Sequence, residues 1–586
     1  MAVIGAALAA IVLLGTFFVS YASKLYESWH QTRLLHGAAT MLQQGQLNEA
    51  TQAARKVLAK HADSLPALYI LADAAEKQNL EEAITWRGQI ARLLPNDPDS
   101  QLNLVSALLR FGNIDLARKA LDHVPASDRD RAVYHVVSGW LARAEGNFAE
   151  QEQQFSAAVK KEPGNDLYQF NLAALQIRSS DPTKSTKARE NLERLSKLVP
   201  YRAGALRALL DDAVARNELS AADNLAQQLQ MSPEVTFGDY LLCLKFYRKL
   251  DEKKFRTSLE RVKPFATRSS SDLASLMEWL NQNGLSSDVV KWTDKLPAQK
   301  LTPSRVAVAV ADAFANSKNW PRLKRWTRKG VWGESDYVRV AYQAIATHQS
   351  RQDSTKTDFR ALWRSAVQSA NYEPEREIVL ARLASKWDLN KESETLWLQV
   401  SENPPLRREA LDALRRLYRE ENELEKLYSV LQWLHESSPN ETPITADLAR
   451  LGLNLGRNIE LSHTLAKEAY DHAPHDKDCA VTYAFSLYRQ GRTKEGLAIV
   501  QTLPDEELHD PHAALYLSLL LADDNQIDAA KNYLSQATDG IYPEEKNVFD
   551  EAKMKIADTF TPPSSKISPV PAQSSPTPAL KPTPPP

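Results

Sequence analysis

The chain has 586 residues, of which 72 are Lys or Arg and 74 are Asp or Glu, so its formal net charge is −2. With 43% hydrophobic and 25% charged residues, it has the composition of a folded protein, long enough for several domains or one repeat array. The balanced charge gives no electrostatic reason to bind nucleic acid. Two distant cysteines, Cys243 and Cys479, exclude a disulfide framework and a four-cysteine zinc site. The 19 glycines are few for this length, which favours helices packed on helices.

The N-terminus is apolar. Residues 2–22 form an almost wholly apolar stretch of 21 residues without a charge. At about 1.5 Å per residue this stretch matches a hydrocarbon core of roughly 30 Å, so we expect residues 1–23 to form one transmembrane anchor. A cleaved secretory signal, with Ser20-Tyr21-Ala22 as its cleavage site, and a buried hairpin helix are the alternatives. Cleavage is disfavoured because a basic leading segment is absent and the apolar run is long.

The side of the membrane is weakly encoded. No Lys or Arg precedes the apolar stretch, whereas Lys24 and Arg33 follow it. The positive-inside rule therefore leans towards a cytoplasmic location of the remaining chain. Long domains cross membranes largely regardless of such charges, so the opposite topology stays open.

A six-residue phrase recurs along the chain. Its sixth residues Ala50, Ala83, Ala117 and Gln151 lie 33, 34 and 34 residues apart. The phrase is found at Gly45-Gln-Leu-Asn-Glu-Ala50, Gln78-Asn-Leu-Glu-Glu-Ala83, Gly112-Asn-Ile-Asp-Leu-Ala117, Gly146-Asn-Phe-Ala-Glu-Gln151, Gly491-Arg-Thr-Lys-Glu-Gly496 and Asn525-Gln-Ile-Asp-Ala-Ala530. A fixed period of this length is typical of a solenoid of helical repeats.

Each position of the phrase has a physical reason. The first residue ends one helix, where the backbone needs a positive φ, and Gly or Asn adopts this conformation with the least strain. The sixth residue is small because it lies where the two helices of a repeat approach most closely. A proline often follows the second helix, as at Pro95 and Pro163, and it cannot continue that helix.

These residues resemble the tetratricopeptide repeat, a helix-turn-helix unit of about 34 residues. The resemblance implies an all-α fold, an α-solenoid of such repeats. We predict five regions: an anchor at 1–23, an N-terminal array at 24–230, divergent helical repeats at 231–401, a C-terminal array at 402–558 and a tail at 559–586. In the middle region the phrase keeps only its outline, so a separate helical domain is the alternative. The residual phrases begin at Asn217, Asn283 and Asn422.

The tail is rich in proline. Its last 25 residues, from Pro562 to Pro586, contain 10 prolines and no aromatic residue. Such a segment lacks the amide donors and the apolar surface that folding needs, so we expect it to be disordered and extended. We interpret the tail as a soluble spacer. The alternative is that its Pro-x-x-Pro segments bind an aromatic-lined groove.

Catalytic motifs are missing from the sequence. It contains no phosphate-binding loop, dinucleotide fingerprint, nucleophile elbow or His-Glu-x-x-His pair. The histidines at positions 463, 472 and 475 lie around turns between helices, with only Cys479 as a thiol near them. We therefore predict no catalytic, cofactor or metal residues and a protein that is not an enzyme. A site hidden in the divergent middle region is the rival hypothesis.

Repeats of this family usually bind partners on the first helix of each unit. In the first four units the groove-facing positions of this helix are mostly apolar. The set of Lys, Asn and Arg residues with which some members of the family bind the C-terminal carboxylate of a chaperone is absent, which disfavours a role as a chaperone adaptor. The positions are Leu35, Ala39, Leu42, Leu68, Ala72, Ala75, Leu102, Ser106, Leu109, Val136, Trp140 and Arg143. Burial of these side chains between neighbouring units is the alternative to an open groove.

Aromatic and Arg side chains dominate binding hot spots, which selects the candidate contacts. They are Arg110, Val136, Trp140 and Arg143 in the N-terminal array and Phe485, Tyr488 and Arg489 in the C-terminal array. The architecture resembles bacterial envelope-anchored repeat proteins that serve assembly, secretion or polysaccharide machinery. The resemblance therefore implies a non-catalytic scaffold for protein or peptide partners, held at the bacterial inner membrane by residues 1–23, with a secreted soluble form as the alternative.

Overall fold

The computed structural model describes residues 29–328, 330–350, 356–538 and 540–558. The predicted anchor at 1–23 and the predicted tail at 559–586 lie outside these described residues. Within them, no helix has the length and apolar character needed to cross a bilayer.

Every regular element in the described residues is a helix, as the scarcity of glycine indicates. The chain divides into two compact units between Leu276 and Met277, and the helix Ser270–Gln282 (α15) contains the division.

The first unit consists of helices joined by short turns. In chain order they are α1 (described over 29–43), α2 (Leu47–Leu58), α3 (Leu65–Lys77), α4 (Glu82–Leu93), α5 (Pro98–Arg110), α6 (Ile114–Asp122), α7 (Ala132–Ala144), α8 (Phe148–Lys161), α9 (Asp166–Gln176), α10 (Pro182–Leu195), α11 (Arg202–Ala215), α12 (Leu219–Met231), α13 (Phe237–Leu250) and α14 (Glu252–Ala266).

The second unit continues in the same manner. Its helices after α15 are α16 (Ser286–Thr293), α17 (Ala298–Leu301), α18 (Ser304–Asn316), α19 (Trp320–Arg328), α20 (Asp336–Gln349), α21 (Lys356–Ser369), α22 (Pro374–Lys386), α23 (Asn390–Ser401), α24 (Pro404–Glu420), α25 (Leu424–Ser437), α26 (Thr442–Leu455), α27 (Ile459–His472), α28 (Lys477–Arg489), α29 (Thr493–Val500), α30 (Asp505–Leu508), α31 (Pro511–Asp523), α32 (Ile527–Gln536) and α33 (Lys546–Asp558). Single 3-10 turns lie at Ala126–Asp128, Gly333–Ser335 and Pro543–Glu545.

Successive helices pair as hairpins, and we call the first helix of each hairpin the A helix and the second the B helix. Most A helices end in one left-handed residue, and the next N–H donates to a carbonyl five residues back, for example from Gln46 to Met41 and from Asn113 to Leu108. This pattern of bonds satisfies carbonyls that the helix end leaves without a partner. The predicted positive φ is present at Gly45, Gly112, Gly146, Asn217, Asn422, Gly491 and Asn525.

Two predicted turn positions are wrong by one residue. Asn79 has φ +54°, and Gln78 before it has a helical φ of −87°. In the middle region Gly284, with φ +74°, takes the position predicted for Asn283. At Asn283-Gly284 both residues tolerate left-handed geometry, so the sequence leaves the choice between them open, whereas at Gln78-Asn79 only the asparagine does.

The same turn recurs within residues 231–401 at two places where the left-handed residue is neither Gly nor Asn. Lys318 and Asp388 have φ values of +52° and +54°, and they end α18 and α22. The N–H of Leu389 donates to the carbonyl of Ala384, as in the other hairpins. The boundaries at 230 and 401 stay predictions, because the compact units divide at a different place.

Small side chains lie where A and B helices cross. Ala50, Ala83 and Ala117 are all fully buried. A Cβ added to Gly496 would lie 2.9 Å from the backbone oxygen of Ala484, closer than real Cβ atoms approach. The hairpins are thus held by backbones in close contact, as the phrase predicts.

A helices also pack beside each other within each unit. In the first unit α5 contacts α7 and α9 contacts α11. In the second unit α18 contacts α20, and α26, α28, α31 and α33 form a contiguous row. Within each unit these A helices therefore pack side by side, and they carry the candidate sites.

Candidate functional site

The candidate contacts of the first unit divide by exposure. Trp140 on α7 is 45% exposed, and Arg143 one turn later is exposed as well. Arg110 on α5 is exposed and its Nη1 donates to the backbone oxygen of Glu76 at 3.1 Å. Val136 is only 8% exposed, so its prediction as a surface contact is corrected.

The burial of Val136 has a packing reason. It belongs to a small apolar cluster with Ala132, Ala158 and Tyr168. This cluster joins α7 to the helices that follow it, which is the alternative that the sequence left open for the groove positions. Leu68, Ala72 and Leu102 are buried in the same way.

The candidates of the second unit already contact the chain itself. The hydroxyl of Tyr488 donates to Glu551 Oε1 at 2.5 Å, and Arg489 forms an ion pair with the same carboxylate at 2.9 Å. Phe485 is only 1% exposed, with its ring centroid 4.8 Å from that of Tyr516. Phe485 is therefore a core residue and its prediction as a contact is corrected, because its ring packs against Tyr516 of α31, a helix that the sequence does not connect to α28.

A short segment before α33 lies against the A helices of the second unit. We define the acidic segment as residues 541–545, with the sequence Ile-Tyr-Pro-Glu-Glu. Tyr542 is extended, and Pro543–Glu545 forms one 3-10 turn that contacts α24 and α26. Glu544 is 4% exposed and Glu545 is fully buried. Two adjacent carboxylates are thus enclosed by the layer of A helices.

Glu544 is held by α24. Its Oε1 accepts a hydrogen bond from Arg419 Nε at 2.7 Å. The guanidinium of Arg419 also lies 4.1 Å above the ring centroid of Tyr542. Asn454 on α26 approaches the Glu544 backbone oxygen at 3.5 Å. One arginine thus contacts both the aromatic and the acidic part of the segment.

Glu545 is held by α26 and α31. Its Oε2 lies 2.7 Å from His512 Nδ1 and accepts a bond of 2.9 Å from the N–H of Tyr542, while Arg450 Nε lies 3.8 Å from Oε1. The rings of His512 and Tyr542 stack with centroids 4.0 Å apart. Three A helices, α24, α26 and α31, and the segment therefore enclose one polar site, in which Asn454 of α26 lies 3.4 Å from the hydroxyl of Tyr516 of α31.

An arginine cluster supplies the positive charge of this groove. Arg415, Arg419 and Arg450 all pair with one carboxylate, that of Asp447, and the two bonds from Arg415 and Arg419 measure 3.3 Å. Burial alone would raise the pKa of Asp447, but the three arginines hold it below its usual range. We call the surface formed by these four residues, His512 and Asn454 the arginine groove.

The two glutamates respond differently to the groove. Burial raises the pKa of Glu544 above its usual value, although Arg419 opposes the shift. Burial acts on Glu545 too, but its hydrogen bond with His512 and the charge of Arg450 hold its pKa below the usual value. Glu545 is therefore the better stabilised carboxylate of the pair.

The sequence analysis missed this groove, although one signal for it was present. Arg450 stands in the middle of a mostly apolar helix, Thr442–Leu455, three residues after Asp447. Charged residues are almost never fully buried unless they are paired. The ion pair between Arg419 and Glu544, 125 residues apart, had no such signal.

The rival hypothesis of an enzyme concerns the middle region, and one open cleft at the start of that region lies in the first unit. This open cleft of about 780 Å³ lies beside Asp223, Tyr240, Tyr247 and Lys254. Burial raises the pKa of Tyr247 to about 12, away from the range in which general acids and bases work near neutral pH. Among the described residues, no group of three or more His, Cys, Asp or Glu is placed to hold a metal ion.

Comparisons with known proteins leave the family open. No protein-family model matches the sequence. No curated protein matches it either. One solved structure with partial likeness is a MamA RS-1 double mutant, which is 18% identical over 28% of this chain and 95% of its own, with a TM-score of 0.26. Another is MamA from residue 41 to its end from Desulfovibrio magneticus RS-1, which is 18% identical over 29% of this chain and 94% of its own, with a TM-score of 0.25.

A tetratricopeptide repeat protein from Parabacteroides merdae is 15% identical over 37% of this chain and 83% of its own, with a TM-score of 0.32. Likenesses at this level say nothing about partners or activity. The helical hairpins of the chain itself recur along both units, and each of them resembles the helix-turn-helix unit of the tetratricopeptide repeat.

Proposed function

We propose that this protein is a non-catalytic α-solenoid scaffold that binds protein partners on its layer of A helices. The observation that carries the proposal is the acidic segment, which the side chains of α24, α26 and α31 enclose. A surface that buries Glu544 and Glu545 of its own chain has the pockets and the charge that recognition of a peptide requires.

The A helices of the first unit support the same reading. Trp140 and Arg143 on α7 and Arg110 on α5 are exposed aromatic and arginine side chains, the residue types that dominate binding hot spots. We expect these three residues to contact a protein partner directly.

The proposal includes attachment to a membrane. It is supported by the uncharged residues 2–22, which are long enough to span a bilayer once. We propose the bacterial inner membrane, with the repeats on the cytoplasmic side, and a role in assembly, secretion or polysaccharide machinery of the envelope.

Topology is testable with one introduced thiol. Both native cysteines, Cys243 and Cys479, are fully buried, so an exposed Ala149→Cys variant supplies the reactive site. A membrane-impermeant maleimide should label this variant after lysis and leave it unlabelled in intact spheroplasts. Labelling in spheroplasts would put the repeats on the outer side, and a mature mass lacking residues 1–22 would show signal cleavage.

Partner binding is tested by two tryptophans of equal exposure. Trp140 lies on an A helix and is 45% exposed, whereas Trp433 lies on the B helix α25 and is 46% exposed. A photo-reactive benzoylphenylalanine at position 140 of the full-length protein should form crosslinks to other proteins in its host, and the same residue at position 433 should form few. Equal crosslinking at both positions, or none at 140, would contradict the proposal.

The variant Trp140→Ala should lower recovery of the crosslinked partner without lowering the melting temperature of the protein. Trp433→Ala is the matched control and should retain the partner. If Trp140→Ala lowers the melting temperature steeply while partner recovery persists, Trp140 is a structural residue.

A further inference from the structure

The acidic segment is held by charge more than by apolar packing. Glu544 and Glu545 are almost completely buried, whereas Pro543 between them and Tyr542 is exposed. Removing two carboxylates from water is costly, and apolar side chains of similar volume usually close a groove as well or better. The arginine groove is therefore suited to binding carboxylates, which covering the groove with a segment of the chain would not by itself require.

The charge of the groove points the same way. The three arginines of the groove share the carboxylate of Asp447, and Arg415 also lies 3.8 Å from Asp412, a carboxylate that Arg408 neutralises as well. Arg419 and Arg450 have no other carboxylate of the described A helices in direct contact, and these two arginines contact Glu544 and Glu545 of the acidic segment. A ligand that brings two adjacent carboxylates is thus the electrostatic complement of the groove.

Several buried polar atoms of the segment and of the groove are left without a hydrogen bond. Among the described residues these are Glu544 Oε2 and Glu545 Oε1 of the segment and Asn454 Oδ1 and Arg415 Nε of the groove. Buried polar groups are normally paired, so these atoms leave room for an occupant with a better fit. The interaction within the chain is accordingly replaceable.

We infer that the arginine groove is a binding site for an acidic segment of a partner protein, an aromatic residue followed within a few positions by two carboxylates, and that residues 541–558 close this site from within the same chain. The inference rests on the proposed scaffold function and names the chemistry of one partner. Binding in trans displaces the acidic segment and with it α33.

Displacement has a definite structural consequence. When the segment leaves, Tyr488 and Arg489 lose their shared partner Glu551, and Val548 and Ala552, now fully buried, become exposed. The apparent affinity of a partner is reduced by the small fraction of molecules that are open. The short connection keeps the internal segment at a high effective concentration, roughly millimolar, against which a partner competes.

The test uses the full-length protein and a labelled synthetic peptide of residues 540–547, Gly-Ile-Tyr-Pro-Glu-Glu-Lys-Asn, with blocked termini. Fluorescence anisotropy measures its binding to the wild type and to the double variant Glu544→Gln/Glu545→Gln, in which the internal competitor is weakened. The matched control is Asp505→Asn/Glu506→Gln, which removes two adjacent exposed carboxylates from α30. The matched control peptide has Gln in place of both Glu.

The double variant should bind the peptide at least tenfold more tightly than the wild type and the control variant do. The Gln peptide should not bind, and Arg419→Gln added to the double variant should abolish the gain. A double variant with an unchanged circular dichroism spectrum that binds no better than the wild type, or binds both peptides equally, would overturn the inference. A shift of the double variant to a dimer in light scattering would overturn it too, since the occupant would then be a second copy.

If the double variant does not fold, hydrogen exchange of the wild type decides. Excess peptide should increase exchange in residues 541–558, and unchanged exchange would overturn the inference. Failure of the peptide with crosslinks at Trp140 retained would remove only this inference and leave the scaffold function in place.

Discussion

A glycine at a helix crossing gives a sharp test of the hairpin packing. Gly496 and Gly88 both lie inside B helices, α29 and α4, where alanine normally stabilises a helix by about 1 kcal/mol relative to glycine. The Cβ of alanine at position 496 would lie 2.9 Å from the Ala484 backbone oxygen and 3.1 Å from Leu520 Cδ2. At position 88 the nearest atom, Leu104 Cδ1, would be 4.0 Å away, an ordinary contact.

The two substitutions should therefore have opposite signs. A backbone carbonyl cannot rotate away, so Gly496→Ala must separate α28 from α29, and overpacking of this kind costs roughly 1–3 kcal/mol. Subtracting the gain in helix propensity leaves a net loss of about 1 kcal/mol, to set against a gain of about 1 kcal/mol for Gly88→Ala.

Hydrogen exchange is the suitable assay, because a repeat array opens locally and not as one cooperative unit. Exchange in residues 477–500 should rise about fivefold in Gly496→Ala at neutral pH, since 1.4 kcal/mol corresponds to roughly a factor of ten. Exchange in residues 82–93 should fall in Gly88→Ala. If both substitutions slow exchange, A and B helices do not approach as closely as described, and the reasoning about small residues is refuted.

Three further predictions test the packing and the charges. Ala117→Arg should destabilise its hairpin by about 3 kcal/mol or more, since it combines overpacking with an unpaired buried charge, and an unchanged melting temperature would contradict the assigned repeat phase. Because burial raises the pKa of Cys243 and of Cys479 to about 12, the native protein should react with thiol reagents at pH 8 roughly a thousandfold more slowly than the unfolded chain, and fast labelling would contradict their burial. Although burial opposes it, hydrogen bonding to Arg207 and Thr236 lowers the pKa of Asp239, so the contribution of this carboxylate to stability is present above about pH 4 and is lost as the pH falls through the lower pKa of the folded state. In Asp239→Asn the free energy of unfolding should therefore depend less on pH below about pH 4, whereas the exposed control Asp63→Asn should leave that dependence unchanged.

Much of the fold could be predicted because the turn chemistry is local. A left-handed residue at the end of an A helix is almost always Gly or Asn, so the phrase at Gly45, Gly112 and Gly146 exposed the period directly. Lys318 and Asp388 adopt the same backbone although neither is a Gly or an Asn. The middle of the chain was consequently hard to phase from sequence.

The candidate site was less predictable because it depends on contacts between distant residues. Counting along a helix identified Trp140 correctly as exposed, since its exposure follows from the face of α7 alone. Phe485 was predicted as a surface contact because nothing in the sequence says that α31 packs against α28. The pairing of Arg419 with Glu544 depends on how the hairpins stack, which a single sequence does not encode legibly.

The membrane anchor and the location of the repeats stay predictions. They depend on residues 1–23, which the described residues do not include. The function proposed for the A helices does not depend on them, since the arginine groove and Trp140 lie within the described units.

The most direct measurement of whether partners bind the A helices is hydrogen exchange of the full-length protein with a partner identified by crosslinking at position 140. The account predicts slower exchange in peptides of α5 and α7, or in α24 and α26 with faster exchange of residues 541–558 for an acidic partner, and no change in the B helices α6 and α25. Protection confined to B helices, with every A helix unchanged, would contradict it.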